Sequence, residues 1–243
     1  SSFGTIGGGC LEFDATKTAR SFVTDPKFTI SFRNYNLGPS LGQCCGGRVE
    51  LSFEKLTDRI KKKIIEKEKD SKKLWDNVLI FGAGHVGQAL IQQLKFIPLN
   101  VSIVDSRPAK TLDFLLPDGC KNTAFPEEEI RNAKSGTAYV ILTHDHALDF
   151  LLVKEALLRK DAAYIGMIGS KTKKAVLQRW LEKENVGSFQ KVSTPLGASI
   201  SSIKGLDKRP EIIAPFVITE ILTAFQTHRN SIFNNENKAR LNP

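Results

Sequence analysis

The chain contains no run of apolar residues approaching the roughly 20 needed to cross a bilayer, and no basic-then-apolar segment at its start. These absences argue against a membrane protein, and the cytoplasm is the expected compartment. The sequence opens on Ser1-Ser2-Phe3 without an initiator Met, so a preceding segment is expected. Cysteine is scarce. Cys10, Cys44, Cys45 and Cys120 form no paired C-x-x-C units and no dense even framework, which excludes a zinc ribbon and a disulfide-stapled mini-domain; they read as reduced thiols. No nucleic-acid motif accompanies the net charge of +9, and the Lys and Arg residues are widely spread. Nucleic acid is therefore set aside in favour of phosphate-bearing ligands or an acidic protein surface. There is no internal repeat, and no obvious catalytic dyad.

What is present is an ordinary core-forming composition, 41% hydrophobic over 243 residues, enough for one large domain or two modest ones. Residues 1–55 are rich in Gly and β-formers, with alternating runs at Phe28 to Phe32 and Val49 to Phe53, and predict a small β-rich, Cys-containing domain. Residues 56–75 are too charged to be buried on all sides and lack helix breakers, which predicts a solvated helical linker. From 76 to 228, strand-like runs alternate with helical patterns: Asn77 to Phe81, Gln88 to Phe96, Val101 to Asp105, Ala138 to Thr143, Leu148 to Arg159, Ala163 to Ile168 and Thr172 to Glu184. That alternation predicts an α/β fold with a Rossmann-like, doubly wound parallel sheet. A last helix is expected from about Pro210 to Phe225, and a disordered tail over 229–243.

The strongest chemical signal is Val78-Leu79-Ile80-Phe81-Gly82-Ala83-Gly84-His85-Val86-Gly87, a glycine loop between a buried strand and a helix. Gly82 permits a tight turn, Gly84 lets backbone approach a pyrophosphate at the helix N-terminus, and Gly87 allows close packing of helix on strand. Asp105 ends the next strand at the spacing of a residue that accepts from a ribose hydroxyl. The alternative is a Rossmann turn without a dinucleotide.

Three further constellations stand out. Gly42-Gln43-Cys44-Cys45-Gly46-Gly47, with Gly7-Gly8-Gly9-Cys10 upstream, offers narrow backbone beside thiols, suited to a bulky anion and to sulfur or molybdenum chemistry. Against this stands the reading of inert thiols that cannot chelate one ion together. Thr143-His144-Asp145-His146 lies where a strand should end; an acid, base or metal role competes with Asp145 simply capping the next helix. Gly169-Ser170-Lys171 presents either a phosphate-holding turn or an ordinary strand-to-helix connection.

Taken in order, GTIGGGCLE (Gly4 to Glu12), GQCCGG (Gly42 to Gly47), FGAGHVG (Phe81 to Gly87), VDSRP (Val104 to Pro108), LTHDHALD (Leu142 to Asp149), YIGMIGSK (Tyr164 to Lys171), Pro195-Leu196-Gly197 and PEIIAPFVITEIL (Pro210 to Leu222) resemble the xanthine dehydrogenase accessory proteins of the XdhC/CoxI type. The resemblance implies a Cys-containing N-terminal domain, its first strands absent from this sequence, followed by a Rossmann domain. It implies a carrier rather than an enzyme: a protein that binds molybdenum cofactor (molybdopterin), protects it while a cysteine desulfurase supplies the terminal sulfur ligand, and helps insert it into the molybdenum subunit of xanthine dehydrogenase. Cys44 and Cys45 match the family's paired cysteines. Cys45 is the first candidate for contact with the metal, although sequence does not separate it from Cys44. A homo-oligomer is an expectation of the same kind.

Glycine loops and cations that hold the phosphate of molybdopterin, with a sheltered place for its metal, fit this role. The rival is an NAD(P)-dependent oxidoreductase, with Gly82, Gly84 and Gly87 holding the dinucleotide, Asp105 reading the ribose, and His144 or His146 as proton donor. That reading leaves Cys44-Cys45 and the GTIGGG segment without work. A third reading joins the two, with NAD(P) as a regulatory or structural ligand of a non-catalytic chaperone.

Overall fold

A computed structural model describes residues 4–38, 46–107, 120–186, 189–198 and 207–241. The chain divides into two compact units, Ser1–Asp70 and Ser71–Pro243.

The first unit begins with helix α1 (Gly9–Val23), followed by strands β1 (Ile30–Asn36) and β2 (Arg48–Glu54), which form an antiparallel hairpin. The two strands cover the two alternating runs, but residues 9–23 are helical, so the expected β-rich region is a helix and a hairpin. The reason lies in the residues after Gly9: Leu11, Glu12, Ala15, Lys17, Ala19 and Arg20 are good helix formers with no breaker among them. Glu12 in the first turn and Arg20 in the last also complement the helix dipole. Leu11 and Ala15, one turn apart, are the buried pair. Phe22 near the helix end stacks on Phe28 at 4.4 Å and meets Phe53 of β2 edge-on at 5.5 Å.

Helix α2 (Asp58–Lys73) buries none of its side chains. Thr57 supports its start, its hydroxyl accepting from Ile60 N at 3.4 Å.

The second unit is built on β3 (Asn77–Phe81), β4 (Asn100–Asp105), β5 (Lys121–Asn122), β6 (Ala138–Ile141), β7 (Tyr164–Met167) and β8 (Val192–Ser193). They lie in the order β5-β4-β3-β6-β7-β8, every pair parallel. Counted within the unit this is 3-2-1-4-5-6, the order of a dinucleotide-binding Rossmann sheet. The crossovers explain the continuous apolar runs: β6 and β7 are buried at every residue because helices cover both faces. On one face, α3 (His85–Leu94) packs with α7 (Pro210–Leu241) through Leu90 and Leu94 against Ala214, Val217, Ile218, Ile221 and Phe225. That set recurs at helical spacing. On the other face, α4 (Glu127–Arg131), α5 (His146–Arg159) and α6 (Lys171–Lys183) contribute Ile130, Leu152, Val153, Ala156, Leu177 and Leu181.

Two departures from the sequence reading concern this unit. The short elements β5, α4 and β8 carry too few residues to show a period. The last helix does not stop near Phe225: α7 continues to Leu241, through the stretch expected to be disordered. No Gly or Pro interrupts that stretch before Pro243, and Arg229 anchors it to Asp76 by an ion pair.

Among the described residues three acids are buried, Asp105, Asp149 and Glu220. Glu220 of α7 is 4% exposed, and its Oε2 accepts from the Tyr164 hydroxyl at 2.6 Å and the Ser193 hydroxyl at 3.0 Å. Burial and the neighbouring carboxylate push the Tyr164 phenol far above its usual pKa. Gly166 makes room for this arrangement, since a Cβ there would lie 2.5 Å from the Tyr164 ring and from Leu196.

Candidate functional site

The glycine loop follows β3, the strand from which the chain departs in both directions across the sheet; open α/β sheets bind ligands at such a point. Gly82 takes φ +109°, and a Cβ there would lie 2.4 Å from the carbonyl oxygen of Leu142, so the loop is pressed against the end of β6. Gly87 is equally constrained, since a Cβ would lie 2.1 Å from the Gly82 carbonyl oxygen. Gly84 differs. It is the N-cap of α3 with an ordinary φ of −69°, and a Cβ there would meet nothing within 4 Å. The first two glycines shape the loop, and the third leaves open space in front of the helix N-terminus, where an anion is favoured. His85 opens α3 and is exposed.

A cleft forms at this point, lined by Gly82, Gly84, Asp105, Arg107, Thr143 and His144 among others. Asp105 stands where the sequence placed it, at the end of β4, but its carboxylate is engaged. Oδ2 accepts from Ala83 N at 2.7 Å and from Arg107 Nη2 at 2.7 Å, while Oδ1 accepts from Arg107 N at 2.9 Å and Arg107 Nε at 3.0 Å. Four bonds fill the four acceptor positions of a carboxylate. Burial pushes the Asp105 carboxyl up, but the Arg107 guanidinium and the two amides outweigh it and hold the pKa below the ordinary value. The guanidinium is held above its own ordinary value, chiefly by the hydrogen bond to Asp105. Asn122 of β5 secures this turn from behind, donating to Asp105 O at 3.1 Å and Arg107 O at 2.6 Å. Cys120 lies close enough to feel both charges, and burial, then Asp105, raises its thiol pKa.

The loop after β6 forms the opposite wall. Asp145 caps α5, its Oδ1 accepting from Ala147 N at 2.8 Å and Leu148 N at 3.4 Å. The capping alternative thus describes Asp145, and among the described residues His144 has no acid or hydroxyl partner. Thr143 is fixed by Asp149, whose Oδ1 accepts from Thr143 N at 3.1 Å and Thr143 Oγ1 at 2.7 Å. Asp149 is fully buried, and its other oxygen pairs with Lys173 Nζ, 9% exposed, in the first turn of α6. The pair joins the loop after β6 to the loop after β7. There Ser170 caps α6, accepting from Lys173 N at 3.2 Å, and Lys171 is exposed. Gly169 lets the Lys173 stem lie across it, at 3.0 Å from where its Cβ would be.

Sequence reasoning singled out Asp105, His144, Asp145 and Lys171 but passed over Arg107, Asp149 and Lys173. Asp149 carried a signal, because it falls on the stripe of Leu152, Val153 and Ala156 that faces the core, and an acid there needs a buried partner. Lys173 carried none.

In the first unit, Gly7, Gly8 and Gly9 take φ +116°, +68° and +62° in succession on the approach to α1, a path side chains disfavour. Thr5 braces the turn, its hydroxyl donating to Glu12 at 3.1 Å and accepting from Gly7 N at 3.1 Å. Cys10 is an exposed free thiol in the first turn of α1. Gln43, Cys44 and Cys45 lie outside the described residues, and Gly46 beside them takes φ +57°. Among the described residues no three His, Cys, Asp or Glu side chains are grouped to hold a metal ion, and no helix is long and apolar enough to cross a membrane.

The strand order and the glycine loop at the switch point define a Rossmann-type α/β domain. Residues 78–221 match the XdhC Rossmann domain, and the chain belongs to the XdhC family. A structure from Bacillus halodurans described as a xanthine dehydrogenase shares the fold, at TM-score 0.66 and 17% identity over 93% of this chain and 84% of that one. An S. aureus homoserine dehydrogenase is similar over 49% of this chain and 32% of its own, at 16% identity and TM-score 0.33. The protein TcdA (CsdL) is similar over 74% of this chain and 99% of its own, at 10% identity and TM-score 0.44. No curated protein matches the chain.

Proposed function

We propose that this protein is an accessory factor in the maturation of xanthine dehydrogenase that binds molybdenum cofactor and delivers it, rather than an enzyme. The cleft at the end of β3, β4 and β6 carries the reading. Its walls combine the glycine-loop backbone, the N-terminus of α3 and the Arg107 guanidinium with apolar residues such as Leu142 and Leu148, and its two titratable candidates are unsuited to proton transfer: Asp105 is saturated by Ala83 and Arg107, and His144 lacks an orienting partner among the described residues. Such walls suit holding a phosphate. Gly84, the amides that open α3 and Arg107 are the groups that fit the phosphate of molybdopterin. The cofactor would bring its metal and dithiolene with it. Independently of that cleft, the family resemblance makes Cys44 and Cys45 the candidates for contact with the metal or its sulfur, Cys45 first, with a cysteine desulfurase and the molybdenum subunit of xanthine dehydrogenase as the partners.

Expression in cells able to make molybdopterin, followed by anaerobic purification, tests this through molybdenum content and the fluorescent oxidised pterin. Near-stoichiometric pterin that is lost in Cys45→Ala or Cys44→Ala, with the fold intact, is expected. Absence of pterin from the wild-type protein overturns the reading. A second reading, a nucleotide held by the Rossmann unit within the same non-catalytic protein, is favoured by the 3-2-1-4-5-6 strand order.

A further inference from the structure

At the end of β4 opposite Asp105, the second unit carries a groove of about 470 Å³. Leu94, Leu99 and Ile103 are its buried floor, while Trp75, Phe96 and Pro98 stand at its rim. Phe96 is 91% exposed, and Leu74, next to Trp75 in the chain, is 86% exposed. Large apolar side chains left in water around an apolar groove mark a contact surface. The groove is also held in shape. The Asn100 side chain donates to Lys72 O at 2.9 Å and to Trp75 O at 3.0 Å, and Asn100 N donates to Asp76 O at 2.9 Å, so the turn carrying Trp75 is fixed to the start of β4. A surface ordered before contact loses less entropy when it binds.

The lining decides what fills it. A small-molecule pocket fixes its ligand with a few converging polar groups, whereas here the lining side chains are apolar or aromatic apart from Lys95. That composition fits the inserted side chains of a protein. The charge around it has one sign: residues 71–75 and 91–103 include Lys72, Lys73 and Lys95 and no acid, and Asp76, next in sequence, is paired with Arg229. Lys72 Nζ lies over the Trp75 ring, 5.8 Å from its centroid. Two copies of this chain meeting through the groove would set lysines against lysines, at a cost in free energy. A partner with carboxylates around an apolar side chain meets complementary charge.

We propose that this groove is the docking surface for the enzyme that the accessory factor serves, and that the docking element of that xanthine dehydrogenase is an apolar side chain flanked by Asp or Glu. The proposal rests on the accessory-factor reading. Trp75 and Phe96 are the anchors, and Lys95 steers the approach. Val101 in the groove and Asp105 at the cleft are about 13 Å apart along a strand that rises roughly 3.3 Å per residue, so the docking element does not occupy the cleft.

Interferometry with the purified full chain and the xanthine dehydrogenase of the same organism reads the affinity. Phe96→Asp and Leu74→Asp change exposed side chains and should leave the melting temperature unchanged, yet each should weaken binding about tenfold or more, the scale of an interface anchor. Lys95→Glu should slow association, and added salt should slow the wild type more than this variant. Val176→Asp on α6, which covers the other face of the sheet, should bind as the wild type does. Wild-type affinity in Phe96→Asp and Leu74→Asp, an equal loss in Val176→Asp, or failure of the wild type to bind overturns the inference. So does a wild-type dimer, or attachment to anionic lipid vesicles, that Phe96→Asp abolishes. The activity of xanthine dehydrogenase produced with and without this chain is read alongside. Activity that requires the chain but is supported equally by Phe96→Asp, with wild-type affinity, sinks the docking inference alone; activity that never requires the chain sinks the accessory reading and the inference with it.

Discussion

Asp149 and Lys173 form a buried ion pair between the first turns of α5 and α6, and the same carboxylate holds the amide and hydroxyl of Thr143 on the wall of the cleft. Removing one partner leaves an uncompensated buried charge, a change that costs about 3–5 kcal/mol. Lys173→Met should therefore destabilise the second unit by that order, and Asp149→Leu should do so as well because Thr143 also loses its acceptor. Urea denaturation measures both. If Lys173→Met falls within about 1 kcal/mol of wild type, the level of an exposed pair, the pair does not support the loops.

The glycines of the loop after β3 should separate stability from binding. Gly82→Ala places a Cβ against the Leu142 carbonyl at a positive φ, and backbone strain of this type alone costs about 1–3 kcal/mol. Gly84→Ala meets open space at an ordinary φ and exchanges one N-cap for a poorer one, a cost of about 1 kcal/mol or less. The expected outcome is a large fall in melting temperature for the first with little change in the second. Gly84→Ala should nevertheless weaken the bound ligand, pterin or nucleotide, because its methyl occupies the approach to the α3 amides. Unchanged ligand retention in Gly84→Ala removes the cleft from consideration as the phosphate site.

Asp105 gives a dependence on pH with a defined sign. Its folded pKa lies below the ordinary carboxyl value, so the stability it contributes is present above the unfolded pKa of about 3.9 and is lost as pH falls through the folded value. The stability difference between wild type and Asp105→Asn should be widest above about pH 5 and shrink below about pH 4. Denaturation curves across that range provide the check; a gap that widens toward acid contradicts the ion-pair account.

Toward the β8 edge of the sheet, Glu220→Ala leaves the Tyr164 and Ser193 hydroxyls without their acceptor, whereas Glu220→Gln retains an oxygen for one of them. An unsatisfied buried polar group costs about 1–3 kcal/mol, so the alanine variant should be the less stable of the two. Ligand binding at the glycine loop should be the same in both. Equal stability of the two variants would mean that the buried carboxylate is not held by these hydroxyls.

Most of the second unit was legible because its signals are periodic. Asn77 to Phe81 was placed to the residue, and α5 and α6 within two residues at each end, since each element alternates clearly with its neighbours. The glycine loop was legible because its positions have steric causes, as Gly82 and Gly87 demonstrate. What escaped is what depends on contacts between distant residues. Asp105 was visible, but nothing local reveals that Arg107 two residues on folds back over it and that Ala83 donates from 22 residues away. Lys173 looks like any lysine at an exposed helix start until α5 is placed beside it. Residues 9–23 were read with the glycines around them, although their own composition is helical.

The bond from Ala83 N to Asp105 Oδ2 ties the glycine loop to the neighbouring strand. A loop of three glycines in six residues loses much conformational entropy on ordering, and in a free loop that loss would fall on the binding equilibrium. Here the ordering is completed by folding. Any ligand that binds at this loop would therefore meet a backbone already fixed by the fold, with little of its binding free energy spent on arranging it.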